Sequence, residues 1–387
     1  MAEHGKPGGL PATFFGLSRR QALALAAILI LALGLRIYGI GDRIEAPDEN
    51  MTLRAMGDIG NLYSQLAEED FHPPLYYLLI SPAYLIMPGL VSIRLVGALL
   101  GALTVLAVFF LAREFMDARK SLIAAFLFAI YPYSIVYSQQ ARCYVLVILL
   151  STLSTLVWVR FLKGKGSPIL LVPLYAATAY TDYTAVFGIA VQAAITLLLK
   201  FRTPEAKKYF GALALSAILC LPLCFLLAEQ RAIGVAAVKW GSGVDAHIVL
   251  DYLRQGIGTE YGLYFNSQLG ITGRPIPQLF LPAVAAWVLA FIGISMLWRR
   301  RADFYALAAL YLLASLLVFF AGLVLSYPPQ HRFILFLTPL LILFIAEGTD
   351  FRSIVRTTLF FIVLFGWCLA VLFYYSHLLD LHYIGLP

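Results

Sequence analysis

Charge is scarce in this chain. Only 13% of its 387 residues are Asp, Glu, Lys or Arg, whereas 61% are hydrophobic, and the mean hydropathy is +0.85. A soluble domain carries roughly 25% charged residues, so a water-soluble globule is excluded. The apolar runs are continuous, not alternating, which excludes an outer-membrane barrel. Helices remain, because a backbone in lipid must satisfy its own polar groups. The expected fold class is all-α, a multi-pass transmembrane helical bundle.

Other absences narrow the chemistry. The four cysteines, Cys143, Cys220, Cys224 and Cys368, lie in or beside apolar runs and show neither metal-ligand spacing nor a disulfide framework. No glycine-rich phosphate loop, dinucleotide fingerprint or His-Glu-x-x-His run is found. The loops on one side are too short for a nucleotide-binding domain. No basic stripe accompanies the net charge of +7, so nucleic acid is not an expected partner. No cofactor is expected; a divalent cation held by Asp48 and Glu49 stays open. The run Ala22 to Tyr38 has no small-residue cleavage site and reads as a retained first helix.

Hydropathy predicts about eleven spans, near 21–40, 92–112, 120–137, 143–162, 168–181, 184–200, 209–227, 278–298, 303–325, 332–347 and 355–376. The run 75–87 is short and contains Pro82, and reads as an interfacial or re-entrant helix. On that reading 18 of the 28 basic residues and 7 of the 21 acidic ones fall on the side of the N-terminus. The positive-inside rule then puts the N-terminus inside and the C-terminus outside. The whole chain, 1–387, reads as a single membrane domain. It has a cytoplasmic tail over 1–20, a long first outer loop over 41–91 with interfacial helices, and a second outer loop over 228–277. The expected location is the inner (plasma) membrane, with lipids as neighbours and the site on the extracytoplasmic face.

The first outer loop holds most of the polar chemistry. It begins Ala46-Pro47-Asp48-Glu49-Asn50, in a stretch with little helix periodicity, and closes Phe71-His72-Pro73-Pro74-Leu75-Tyr76-Tyr77. A carboxylate at a low-dielectric boundary suits a general base, although an acidic pair also reads as a solvated turn. The two prolines set a helix start and put His72 at the membrane surface. There it either meets a phosphate or belongs to an aromatic belt with Phe71, Tyr76 and Tyr77. Arg94, Arg142 and Arg332 stand at the outer starts of three different spans. Arginine suits bidentate phosphate recognition, but each also reads as snorkelling to headgroups. Asp182, in Tyr180-Thr181-Asp182-Tyr183, reads equally as a functional intramembrane charge or a helix cap.

Taken in order, these motifs resemble a family. Pro47-Asp48-Glu49, His-Pro-Pro-Leu-Tyr-Tyr, Ile93-Arg94-Leu95-Val96-Gly97-Ala98-Leu99, Ser138-Gln139-Gln140-Ala141-Arg142-Cys143-Tyr144 and His331-Arg332-Phe333 with Pro339 resemble the bacterial C-type membrane glycosyltransferases. These are the relatives of protein O-mannosyltransferases and of the lipid A aminoarabinose transferase. The resemblance implies a multi-pass bundle, a polyprenyl-phosphate sugar donor and an acceptor hydroxyl on a lipid, a polysaccharide or a protein. It implies that Asp48, with Glu49 beside it, is the catalytic base of an inverting transfer. Arg142, Arg94, His72, His331 and Arg332 would meet the donor phosphate, and Asp182, Tyr76 and Tyr144 would contact substrate. Two positions depart from the pattern. Asp182 stands where many relatives have His, and His72 stands where the aminoarabinose branch has Lys, replacing a fixed charge by a group mostly neutral near pH 7. The alternative from another class is a transporter or flippase of lipid-linked sugars, which would place charges near the bilayer midplane and show internal repeats.

Overall fold

A computed structural model of the chain describes residues 17–43, 45–70, 72–232, 280–298, 302–324 and 331–383. Among these residues the regular structure is entirely helical. The helices are α1 (Arg19–Ile37), α2 (Pro47–Gly57), α3 (Leu62–Glu68), α4 (Leu75–Ile86), α5 (Leu90–Arg113), α6 (Ala118–Ile130), α7 (Pro132–Ser138), α8 (Tyr144–Leu162), α9 (Leu171–Ala179), α10 (Val186–Lys200), α11 (Pro204–Leu219), α12 (Leu221–Ala232), α13 (Phe280–Trp298), α14 (Ala302–Val324), α15 (Thr338–Gly348) and α16 (Ile354–Tyr383). Short 3₁₀ segments, Pro168–Leu170 and His331–Leu337, lead into α9 and α15.

Each of the eleven expected spans falls on a helix or on a pair of helices. Four helices are long and apolar enough to cross a bilayer alone, and two bent pairs raise that to six. The other spans coincide with apolar helices of 10–17 described residues. Large apolar side chains such as Ile30, Leu198, Phe225 and Ile354 are exposed on the helix surfaces. On a protein of this composition that is a lipid-facing exterior, and the chain is an integral membrane protein.

Helix α5 is the hub, packing against α1, α4, α6, α7 and α8, while α13, α15 and α16 form a second group joined to it through α6. Between α6 and α7 the helix axis turns by 55°. The cause is Pro132, which lacks an N–H and opens α7 at its first position. The break frees carbonyls at the end of α6, and the buried Arg36 of α1 supplies donors. Its guanidinium donates to the Ala129 carbonyl at 3.0 Å, to Ser134 Oγ at 2.7 Å and to Ser138 Oγ at 3.1 Å. Burying an arginine is tolerated only when such partners are in place.

The bend lays the segment 138–142 along α5, over two glycines one turn apart. A Cβ at Gly97 would lie 2.6 Å from the Ser138 carbonyl oxygen, and one at Gly101 would lie 2.2 Å from Ser138 Oγ. Only hydrogen at these positions allows so close an approach. Charged groups gather at the two ends of the bundle. At one end Lys120 pairs with Glu347 at 2.9 Å and Lys163 with Glu114 at 3.6 Å. At the other lie the first loop, the start of α5, the α7–α8 turn and the α9–α10 turn.

Candidate active site

The acidic stretch is helical, contrary to expectation. Pro47 occupies the first turn of α2 and Glu49 closes a capping box, its Oε2 accepting from the Ala46 N–H at 2.9 Å. Proline and two acids suit a helix N-terminus, where the first N–H groups are unpaired and the dipole favours negative charge. The same residues that read as an acidic turn therefore nucleate a short helix.

Glu49 is fully buried and makes an ion pair with Arg94 of α5. Arg94 Nη2 donates to Oε2 at 2.8 Å and Nε to Oε1 at 3.0 Å, and the Ala141 N–H donates to Oε1 at 2.7 Å. Arg94 also caps the carbonyls of Ile40 and Arg43. Burial pushes the Glu49 carboxyl up, but the hydrogen bond and charge of Arg94, with Arg43 and the Ala141 N–H, outweigh it and hold the group below its ordinary range. With both oxygens committed, Glu49 is an anchor, not a reacting acid or a cation ligand. Arg94 is spent on Glu49 instead of facing a phosphate. The pair pins α2 to α5 and to the α7–α8 turn. That leaves Asp48, next in line on the helix, partly exposed.

The group at the centre is Asp70, which none of the sequence motifs singles out. It is buried, and its carboxylate takes Arg142 Nη1 on Oδ2 at 2.7 Å, Arg142 Nη2 on Oδ1 at 3.2 Å, His72 Nδ1 on Oδ1 at 2.7 Å and the Tyr77 hydroxyl on Oδ2 at 2.5 Å. Burial opposes its charge; Arg142 and His72 more than offset that, so its carboxyl is held well below the usual range. Arg142 donates further to the Asp48 carbonyl at 3.1 Å, so the acid-bearing helix and the cation of the α7–α8 turn share one contact. His72 is also not the neutral group its pKa alone suggests. Burial and the nearby Arg142 work against its charge, but Cys143 and Asp70 prevail, and its pKa is lifted to about 10. The direction is toward the protonated form, the sign of charge that a lysine would bring.

Two buried donors in this cluster have no protein partner among the described residues: Arg142 Nε–H and the Tyr76 hydroxyl. Burial pushes the Tyr76 phenol well above its ordinary value; Cys143 and Glu49 add to this and Arg142 opposes it, so the hydroxyl stays a donor. Tyr144 packs edge-on against His72, with ring centroids 5.9 Å apart. Asp182 sits in the α9–α10 turn, where its Oδ1 accepts from Thr184 N–H at 2.7 Å and Oγ1 at 2.6 Å. That turn is tied to the His-Pro-Pro segment by the Leu75 N–H donating to the Tyr180 carbonyl at 2.9 Å. His331 and Arg332 open the 3₁₀ segment His331–Leu337, but their side chains lie outside the described residues, as do Phe71 and the second outer loop beyond Ala232.

Residues 71–225, which include His72, Arg142 and Asp182, match the family model described as dolichyl-phosphate-mannose-protein mannosyltransferase. No curated protein sequence matches the chain. Three solved structures of an Archaeoglobus fulgidus oligosaccharyltransferase share the fold. The apo form is 16% identical, with a TM-score of 0.54 over 91% of this chain and 54% of that one. The form tethered to an acceptor peptide is 18% identical, with a TM-score of 0.53 over 85% of this chain and 49% of that one. The complex with an inhibitory peptide and a dolichol-phosphate is 16% identical, with a TM-score of 0.52 over 85% and 50%. The chain thus spans about half the length of the solved structures it matches. The chain shares the fold of these structures, and its residues 71–225 are similar to that mannosyltransferase family.

Proposed function

We propose that the protein transfers a sugar from a polyprenyl-phosphate donor to an acceptor hydroxyl on the extracytoplasmic face of the inner membrane. Asp48 takes the proton from the hydroxyl. The oxygen bonds to the anomeric carbon from the side opposite the phosphate, and the carbon–oxygen bond to phosphate breaks with inversion. The electron pair leaves on the polyprenyl phosphate, whose charge is met by His72 and by the unpartnered donors of Arg142 and Tyr76. Fixed donors in a site screened from water stabilise a leaving anion without reorganisation.

The observation that carries this reading is the pair of orphaned buried donors, Arg142 Nε–H and Tyr76 Oη–H, in a cluster whose cation also holds the Asp48 carbonyl. Native proteins seldom leave buried donors unpaired, and an incoming phosphate oxygen pairs both. The solved complex of the archaeal oligosaccharyltransferase with dolichol-phosphate supports the choice of a lipid phosphate. All these charges lie at one end of the bundle, which suits a transferase better than a carrier.

The test uses purified protein in proteoliposomes with membrane extract as the acceptor source. Synthetic polyprenyl-phosphate sugars are supplied, and released polyprenyl phosphate and glycosylated product are followed by mass spectrometry. The expected result is donor consumption and a product of opposite anomeric configuration. Consumption of nucleotide sugars alone, or retention of configuration, overturns the reading.

A further inference from the structure

Beyond any sugar transfer, we propose a metal site for a zinc-like divalent cation, formed by His72, Cys143 and Asp182. These residues come from the first loop, the α7–α8 turn and the α9–α10 turn. One ligand atom from each lies within 4.8 Å of those of the others. Tetrahedral zinc with bonds of about 2.0–2.3 Å sets its ligands roughly 3.3–3.7 Å apart. The three donors therefore need close by only about an ångström, within the reach of side-chain rotation.

The surroundings prepare each donor. Asp70 accepts from His72 Nδ1 at 2.7 Å. Arg142 Nη2 lies 2.7 Å from the same nitrogen, so Nδ1 is occupied and the other ring nitrogen is the one left to ligate, with a carboxylate behind the ring as is typical of such sites. Asp182 commits Oδ1 to Thr184, and no hydrogen bond to Oδ2 is formed among the described residues. Cys143 is buried to 1% exposure, so its sulfur is shielded from bulk water. The Leu75 N–H to Tyr180 carbonyl bond holds the two loops that carry His72 and Asp182 together.

The donor set selects the metal. One nitrogen, one sulfur and one carboxylate oxygen suit Zn²⁺ or Co²⁺, whereas Mg²⁺ and Ca²⁺ take oxygen ligands. Binding forms metal–nitrogen, metal–sulfur and metal–oxygen bonds and sends the thiol and imidazolium protons to solvent. Three protein ligands leave one position open for an oxygen donor, either water or a phosphate. The spacing in sequence hides the site: the ligands are 71 and 39 residues apart (143 − 72 and 182 − 143), and only the packing of three loops brings them together.

The experiment is metal analysis of the full-length protein in detergent, stripped with chelator and dialysed against Co²⁺. The wild type should retain one cobalt per chain and show a sulfur-to-cobalt charge-transfer band in the near ultraviolet. C143S should lose that band. D182N, which keeps the shape of its side chain and the folded melting profile, should bind cobalt at least tenfold more weakly. Wild-type protein with no stoichiometric cobalt overturns the proposal even if C143S does not fold. A wild-type band that persists in C143S, or an unchanged affinity in D182N, does the same. Neither readout needs a sugar donor, so failure here is distinct from failure of the transferase reading.

Discussion

Glu49 receives four hydrogen bonds, from Arg94 Nε and Nη2 and from the backbone N–H groups of Ala46 and Ala141. Removing one partner of such a buried pair leaves an uncompensated charge, at a cost of about 3–5 kcal/mol. Glu49→Ala should lower the melting temperature in detergent accordingly. Replacing both partners, as in Glu49→Leu with Arg94→Met, should recover much of the loss. The pH dependence follows from the depressed carboxyl. A group whose pKa is lower folded than unfolded stabilises fully above the unfolded value, about 4.3. That stability is lost as pH falls through the folded value. The contribution should be flat from neutral pH down to about 4.5 and disappear in more acid solution, and thermal melts of wild type and Glu49→Ala across that range should converge there. Tyr76→Phe separates binding from folding. The hydroxyl has no protein partner among the described residues, so its removal should leave stability unchanged or slightly raised. Donor KM should rise about tenfold or more, as expected for a lost hydrogen bond to a charged group. At this scale the sequence was only partly legible. Asp48, His72, Arg142 and Tyr76 were marked by their motifs. Asp70 was not, because it ends the acidic run Glu68-Glu69-Asp70 and nothing local separates the buried carboxylate from its two neighbours. Its position two residues before His-Pro-Pro was the available signal. Glu49 and Arg94 were misassigned for a related reason: 45 residues separate them, and sequence does not show that each satisfies the other.

Among the elements, each expected hydrophobic run coincides with a helix or a pair of helices, because length and apolarity report directly on burial in lipid. Helix α2 escaped because its stability comes from its end, not from periodicity; Pro47 and the Glu49 capping box set it. The bend at Pro132 was likewise not foreseen, since the run 120–137 reads as one span. That bend aims the α7–α8 turn at the site, and it depends on the bare faces of Gly97 and Gly101. Gly97→Ala would place a methyl 2.6 Å from the Ser138 carbonyl. Overpacking of this kind costs about 1–3 kcal/mol, and it should also move Ala141 and Arg142 off α2. The expected outcome is a lowered melting temperature with a disproportionate fall in kcat, measured side by side. Gln230 of α12 donates to the Leu66 and Asp70 carbonyls at 2.9 and 3.2 Å, so α12 braces the far edge of the same loop.

For the molecule as a whole, the arrangement separates two tasks. One end of the bundle holds simple ion pairs, such as Lys120 with Glu347. The other concentrates buried carboxylates, cations and unpaired donors. The proposed function requires the first end to face the cytoplasm, as the positive-inside rule would have it. In a background lacking the exposed native cysteines, Tyr63→Cys on α3 should react with a membrane-impermeant maleimide in intact cells. Lys207→Cys on α11 should react only after permeabilisation. The reverse pattern would put the site on the wrong side for a lipid-linked donor.

The central claim is that the carboxylate of Asp48 draws the proton from the acceptor. Asp48→Asn keeps the shape of the side chain and the backbone carbonyl that Arg142 holds, so folding and donor binding should survive. The decisive measurement is turnover of a polyprenyl-phosphate sugar by this variant in proteoliposomes, with donor affinity measured on the same preparation. Loss of at least a hundredfold in kcat with donor affinity preserved is the result predicted for a missing general base. Wild-type turnover by Asp48→Asn would contradict the account.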